Sequence, residues 1–391
     1  MKGAVGEFVP GASSTFHYDS LPEFLKKPYM AIRKAMIADQ YSVVIGKPLD
    51  MDTCGFLIES ILNDNPQIFW LMNGCGVMIS GKTTTIKLIR NRFSKDRERI
   101  KAEITNNAQA IYRKYIEGLK DAYSIELAVH DVLSKRVTYD GTDMESSHSL
   151  VGPMLDKRGV CDGISKANAF LLNAFGVDAS VVTGKKRGST ENHAWNVVRI
   201  DREWYNEDVT FDLQEGSGVQ TRFYLNMDDT LASRTHELKN AGRCKSRKQN
   251  HYVRNGTYFK RAEEAVRYIS GMKPDSGSIE DVYDIYIEED TRQSSIIPVI
   301  YRKYAGRAAS YRMIMSNGRY MVIVRKGTNG QKGKVLQAVR NNGQKRSSRE
   351  PGEASQRHVG HAVRRERRQS GMVSERGGTG SDARRHRRKN R

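Results

Sequence analysis

The sequence predicts an α+β protein, and three observations carry that prediction. Helical periodicity of apolar residues runs through 22–46, 53–63 and 95–135. Strand-like runs come in pairs joined by two-residue turns, VMIS-GK-TTTIKLI at 77–89 and HAWNVVRI-DR-EWYNEDVTF at 193–211. Between Leu150 and Asp212 the pattern alternates one helix with several strands.

A chain of 391 residues holds two or three domains at roughly 100–200 residues each. Its hydrophobic content of 38% is low for a chain packed throughout. The formal charge of +20 is unevenly placed. Residues 331–391 contain 18 Lys/Arg against 5 Asp/Glu, a surplus of 13, so the first 330 residues carry only +7 (20 less 13). From Lys326 onward there is no aromatic residue, and such a tail buries too little apolar surface to fold alone. Its end, ARRHRRKNR, suits nucleic acid or any acidic surface. A solvated tail, or a frame-shifted product with no selected role, fits the same composition.

The four cysteines, at 54, 75, 161 and 244, show no zinc-ligand spacing and no disulfide framework. The N-terminal residues MKGAVGEFVPGASSTFHYDS offer no apolar run suited to a signal peptide. No stretch reaches the ~18 apolar residues that a membrane helix needs. The expectation is a cytoplasmic, bacterial-type protein with reduced thiols.

In chain order, Phe56, Ile58, Ile61 and Leu62 mark the apolar face of the second helix. Ile125, Ala128, Val129, Val132 and Leu133 form the buried stripe of the long helical stretch. Beyond residue 213 a helix is expected near 261–270, with strands near 283–288, 296–301 and 319–325.

One motif invites a nucleotide-binding reading. GVMISGKT at 76–83 matches the phosphate-loop pattern without a mismatch. Such a loop needs a compact turn of backbone N–H groups followed by a helix. Val77, Met78 and Ile79 are bulky where the backbone must curl, and Thr83, Thr84 and Thr85 are β-branched where the helix must start. No apolar run ends in an acidic residue placed to hold Mg2+. A β-hairpin is the simpler reading, with Gly81 supplying positive φ and Lys82 a solvated turn residue.

The chemistry gathers in 158–212. Gly159-Val160-Cys161-Asp162-Gly163 opens a helix with the stripe Ile164, Ala167, Leu171, Leu172 and Phe175. Cys161 thus sits in a first turn, where unpaired N–H groups and the helix dipole favour thiolate over thiol. A lone cysteine at such a place is more often structural, so it needs partners. Pairing Ile200 with Glu203 across Asp201-Arg202 makes paired residue numbers sum to 403. His193 then faces Thr210, and Asp208 and Asp212 both lie diagonal to it on the same face. Glu207 points to the other side. Geometry alone leaves both aspartates open. A thiol, an imidazole and a carboxylate so placed are what thiol acyl transfer requires. Zinc is the competing use of these side chains, but no further ligand has the spacing.

These residues resemble the transglutaminase-like superfamily, in particular bacterial members with a papain-like fold. The likeness rests on GVCDGISK (159–166), HAWNVV (193–198) and WYNEDVTFD (204–212). It extends upstream through His130-Asp131, Tyr139-Asp140 and SHSLVGP (147–153), and downstream to FYLNMDD (223–229), His236 and HYVRNGTYF (251–259). The resemblance implies a triad of Cys161 as nucleophile, His193 as base and acid, and Asp208 as orienter. It leaves Asp212 to support the following turn. The backbone N–H of Cys161 would serve the oxyanion, with His148 as a candidate side-chain donor. Asn206 stands where such proteins often carry His, and Ser149 also departs from their pattern, both outside the triad. The basic TGKKRGSTEN loop before His193 sets this chain's substrate rim apart.

The expected organisation is an N-terminal α/β accessory region (1–100), a papain-like transglutaminase core (101–240), an α+β extension (241–325) and a disordered basic tail (326–391). The expected function is attack of Cys161 on an amide carbonyl of a protein or peptide, through a thioester resolved by water or an amine. No cofactor, metal, nucleotide or membrane enters this reading. The alternative is a non-catalytic binding or scaffold module that docks on acidic partners through its tail.

Overall fold

Helices and strands fall where apolar periodicity and turn residues place them, with three departures from the sequence-based expectation. The computed structural model describes residues 13–213, 220–239, 241–275, 277–289, 296–304, 309–316 and 319–326. The N-terminal part runs α1 (Phe16–Ser20), α2 (Glu23–Ile37), β1 (Ser42–Ile45), α3 (Met51–Asp64), β2 (Leu71–Ser80) and β3 (Thr83–Arg90). The middle holds α4 (Arg97–Ile111), α5 (Ala122–Arg136), β4 (Thr138–Tyr139), α6 (Met144–Ser147), β5 (Arg158–Gly159), α7 (Cys161–Ala174), β6 (Asp178–Lys186), β7 (Asn192–Ile200) and β8 (Glu203–Glu207). Next come α8 (Asp229–Ala232), β9 (His236–Leu238), α9 (His251–Arg254), β10 (Tyr258–Phe259) and α10 (Ala262–Gly271). The last elements are β11 (Glu280–Ile287), α11 (Ile296–Lys303), β12 (Ala309–Ser316) and β13 (Arg319–Lys326). The expected tail beyond Lys326 lies outside the described residues.

The departures have local causes. Helix α2, expected to run over 22–46, stops at Ile37 because Asp39 takes φ 53°, and the apolar residues after it form β1. The long helical stretch breaks between Ile116 and Ala122, where Gly118 has φ 91° and the Asp121 side chain caps Ser124 N–H. The expected strand at 296–301 is a helix instead. Ile296, Val299 and Ile300 are its buried face, a spacing of three and four that a short β-branched run conceals.

Four sheets result. Strands β1-β3-β2 and β10-β11-β13-β12 form two of them, β4 and β5 pair in parallel, and β8-β7-β6-β9 is the central sheet. One continuous core from Leu21 to Leu225 packs α3 and α7 against one face of that central sheet, with α2 on α3 and α5 on α7. Trp195 and Val197 point from β7 to its other face, where Phe16 and Cys244 cover them. A second core joins α10 and α11 to β11 and β13. Among the described residues no helix is long and apolar enough to cross a membrane.

The GVMISGKT stretch is a hairpin. Ser80 pairs with Thr83, Gly81 has φ 56°, and the residues after Lys82 continue as β3. Their N–H groups serve a strand, so no helix N-terminus follows the loop to hold phosphate. Lys82→Ala is therefore expected to change stability by less than about 0.5 kcal/mol. A rise in unfolding temperature with ATP that disappears in Lys82→Ala would overturn this account.

Candidate active site

Cys161 is the first residue of α7, and Val160 before it is extended, with no side chain capping the helix. The first-turn N–H groups therefore face the thiol's surroundings without a capping acceptor. The helix is anchored by its buried stripe, and Val160 N–H donates to the Ser147 carbonyl at 3.1 Å. Gly163 makes this close approach possible, since a Cβ there would lie 2.2 Å from Ser147 O and 2.9 Å from Ser149 O. Cys161 itself is half-buried.

The hairpin of β7 and β8 has the register read from the sequence. Ile200 pairs with Glu203 and Asn196 with Glu207, and both Asp201 and Arg202 have positive φ. His193, near the start of β7, lies opposite Gly184 of β6. Its ring stacks on Phe211, with centroids 4.6 Å apart and planes 16° from parallel. Strand β8 stops at Glu207, so Asp208 begins a turn and reaches back to the imidazole. Its Oδ2 accepts from His193 Nε2 at 2.7 Å and from His236 Nε2 at 3.0 Å. Its Oδ1 accepts the backbone N–H groups of Thr210 at 2.9 Å and Phe211 at 3.2 Å. Cys161 is close enough to the same His193 ring to help raise it. With Nε2 given to Asp208, Nδ1 is the nitrogen left for sulfur.

Electrostatics follow from this crowding. Burial opposes charge on Asp208, but the facing His193 and His236 outweigh it and hold the carboxyl well below its usual range. Burial likewise favours neutral His193, yet Asp208 prevails and lifts it to about 10. His236 goes the other way, lowered first by burial. Its Nε2 is bonded to Asp208 at 3.0 Å, and its Nδ1 meets the Thr235 hydroxyl at 2.9 Å.

The two aspartates left open by the sequence are separated by the structure. Asp212 does not lie beside His193, because the strand ends at Glu207 and the turn carries it away. It accepts from Thr221 Oγ1 at 2.7 Å and from the N–H groups of Phe223 and Tyr224 at 2.9 and 2.7 Å. It also faces His130 Nε2 at 3.4 Å. Glu207 points away from His193, as its parity requires, and binds His130 Nδ1 at 2.9 Å and Asn168 Nδ2 at 2.7 Å. His148 is exposed beside Asp162, 3.6 Å from its carboxylate.

Two neighbours of the site went without a role in the sequence reading. The Tyr139 phenol is an electrostatic neighbour of Cys161. Burial first, and then Cys161, push its phenol up, so it stays a neutral donor. Tyr139 arrives by pairing with Gly159 across β4 and β5, a two-residue ladder with no sequence signature. His236 arrives through the pairing of β9 with β6. His193, Asp208 and His236 each bring one possible metal-ligand atom within 4.8 Å of the others. Hydrogen bonds already join Asp208 to both imidazoles.

Two outcomes follow. His193 and His130 are both lifted to about 10, each by facing carboxylates that outweigh burial. Unfolded, each loses its proton near pH ~6.5. Their contribution to stability is thus complete below about pH 6.5 and lost as pH rises through about 10. The thermal midpoint is expected to fall across that window, and less steeply in Asp208→Asn, where His193 no longer contributes. In Gly163→Ala the Cβ meets backbone oxygens, so a loss of about 1–3 kcal/mol in denaturant unfolding is expected; unchanged stability would contradict the close packing.

Residues 109–209 match the family model described as the transglutaminase-like superfamily. No curated protein matches the chain in sequence. Three solved structures show weak likeness. A proposed cysteine protease from Cytophaga hutchinsonii is 14% identical with TM-score 0.25, over 35% of this chain and 61% of that one. A TGase is 15% identical with TM-score 0.25, over 47% of this chain and 54% of that one. A proposed protease from Parabacteroides distasonis is 8% identical with TM-score 0.22, over 77% of this chain and 66% of that one. The chain therefore spans between about half and two thirds of the length of these structures. The assignment rests on the domain match, which covers α7, β6 and β7 and runs on to Asp208 and Val209. By that match, residues 109–209 are similar to the transglutaminase-like superfamily.

Proposed function

We propose that this protein is a thiol enzyme that transfers the acyl group of a protein or peptide amide through Cys161, His193 and Asp208. One observation carries the reading: a single buried imidazole is bonded to the Asp208 carboxylate at 2.7 Å and has Cys161 as its electrostatic neighbour. In this reading His193 takes the thiol proton and the sulfur adds to the amide carbonyl. The developing oxyanion meets the Cys161 backbone N–H, with the Tyr139 hydroxyl beside it. Protonated His193 then gives its proton to the leaving amine, and a thioester remains. Water or a second amine, deprotonated by His193, attacks the thioester and frees Cys161. Asp208 keeps the ring oriented and balances the imidazolium charge. Water yields a peptidase or amidase, and a lysine-like amine yields a transglutaminase.

The other thiols supply an internal control. Burial raises the Cys54 thiol to about 11 and pushes the Cys75 and Cys244 thiols up as well. Trace iodoacetamide near neutral pH, followed by peptide mass spectrometry, is expected to label Cys161 selectively. His193→Ala should abolish that preference, and Asp208→Asn should slow turnover by about 10²–10⁴-fold. Equal, slow labelling of all four cysteines would sink the enzyme reading and leave a non-catalytic binding module. A fluorescent-amine incorporation assay beside a peptide-release assay then identifies the acyl acceptor.

A further inference from the structure

The Asp208 carboxylate serves two imidazoles, and the thiol mechanism uses only one. His236 is fully buried, its Nε2 lies 3.0 Å from the same Oδ2 that binds His193, and its ring is 5.4 Å from the His193 ring. Trp195, Phe211 and Tyr224 enclose it, with centroids 4.7, 5.1 and 6.4 Å away. On its other edge Nδ1 meets Thr235 Oγ1 at 2.9 Å and the Ala232 carbonyl at 3.2 Å. The charged groups facing it are Asp208 from the turn and His193 from β7, while Lys186 is its backbone partner across β6 and β9.

We infer that His236 is a positioning residue that divides the Asp208 carboxylate between two imidazoles and so limits how strongly Asp208 binds the His193 Nε2–H and how far it raises the basicity of Nδ1. This rests on the thiol reading given above. One oxygen accepting two N–H donors offers each less electron density than it offers one alone. The more strongly Asp208 binds the Nε2–H, the more basic Nδ1 becomes, so a shared carboxylate keeps the Nδ1 proton available to the leaving amine. His236 also pins Oδ2, as the Thr210 and Phe211 N–H groups pin Oδ1. A side chain that merely filled space would need neither the Asp208 bond nor the Thr235 bond.

The direction of the effect separates the two roles. The experiment follows the His193 Nε2–H proton by NMR in the full chain, near neutral pH, after selective labelling of histidine with 15N. In His236→Leu the sole remaining imidazole bond to Asp208 strengthens, and that proton is expected to move downfield. In His236→Gln the amide nitrogen stands where Nε2 stood and donates to Asp208, so the resonance returns toward its native position. An upfield shift or loss of the signal in His236→Leu, or identical spectra for the two variants, would overturn the inference. Should His236→Leu fail to fold, His236→Asn, whose shorter amide does not reach Asp208, takes its place in the comparison with Gln. Iodoacetamide labelling of Cys161 is run on the same samples. Unselective labelling with the expected NMR shift rejects the enzyme reading alone, and selective labelling without the shift rejects this role of His236 alone.

Discussion

A carboxylate sealed away from water must find all its hydrogen bonds inside the protein, and Asp208 is such a group. Left unpaired it would cost several kcal/mol or take up a proton. Four donors prevent this: two imidazole N–H groups at one oxygen and two backbone N–H groups at the other. The backbone donors exist only because β8 ends at Glu207 and the chain turns. The imidazoles exist there only because β7 and β9 flank β6 in the same sheet. The placement of His193, and with it the geometry offered to Cys161, depends on this one satisfied charge.

The opposite side of the strand end holds the turn in place. His130 on α5 stands between Glu207, the last residue of β8, and Asp212, the last of the turn. Asn168 on α7 adds a bond to Glu207 and another to Asn196 of β7. Helix α7 is thereby tied to both hairpin strands seven residues beyond the thiol it carries. Burial, and then the charge of Glu207, raise Glu126 well above the usual carboxylate range, and it accepts from Asn226. Polar residues in this layer fix register and orientation, which an apolar layer packs without specifying.

The N-terminal segment is joined to the central sheet through a comparable buried acid. Asp64 at the end of α3 accepts the N–H groups of His17 and Tyr18, the Tyr29 hydroxyl and the Ser180 hydroxyl of β6. Asn206 accepts Trp195 Nε1–H at 3.0 Å and donates to Asp229. These bonds keep the indole beside His193 and His236 in a fixed orientation.

Local rules determined much of this from sequence alone. A two-residue turn at Asp201-Arg202 sets strand parity, and parity puts His193 and Asp208 on one side and Glu207 on the other. The apolar stripe after Cys161 determines which face of α7 is buried, and β-branched residues after Lys82 determine a strand where a phosphate loop needs a helix. Parity could not separate Asp208 from Asp212, because it says nothing about where β8 stops. Nor could it bring in Tyr139, 22 residues before the thiol, or His236, 43 residues after His193. Those arrive through β4–β5 and β6–β9 pairings closed over long loops. Alternation and turn chemistry act between near neighbours and are written in the order of residues. The sharing of one buried carboxylate by two distant histidines is decided only when the tertiary structure removes water from around it.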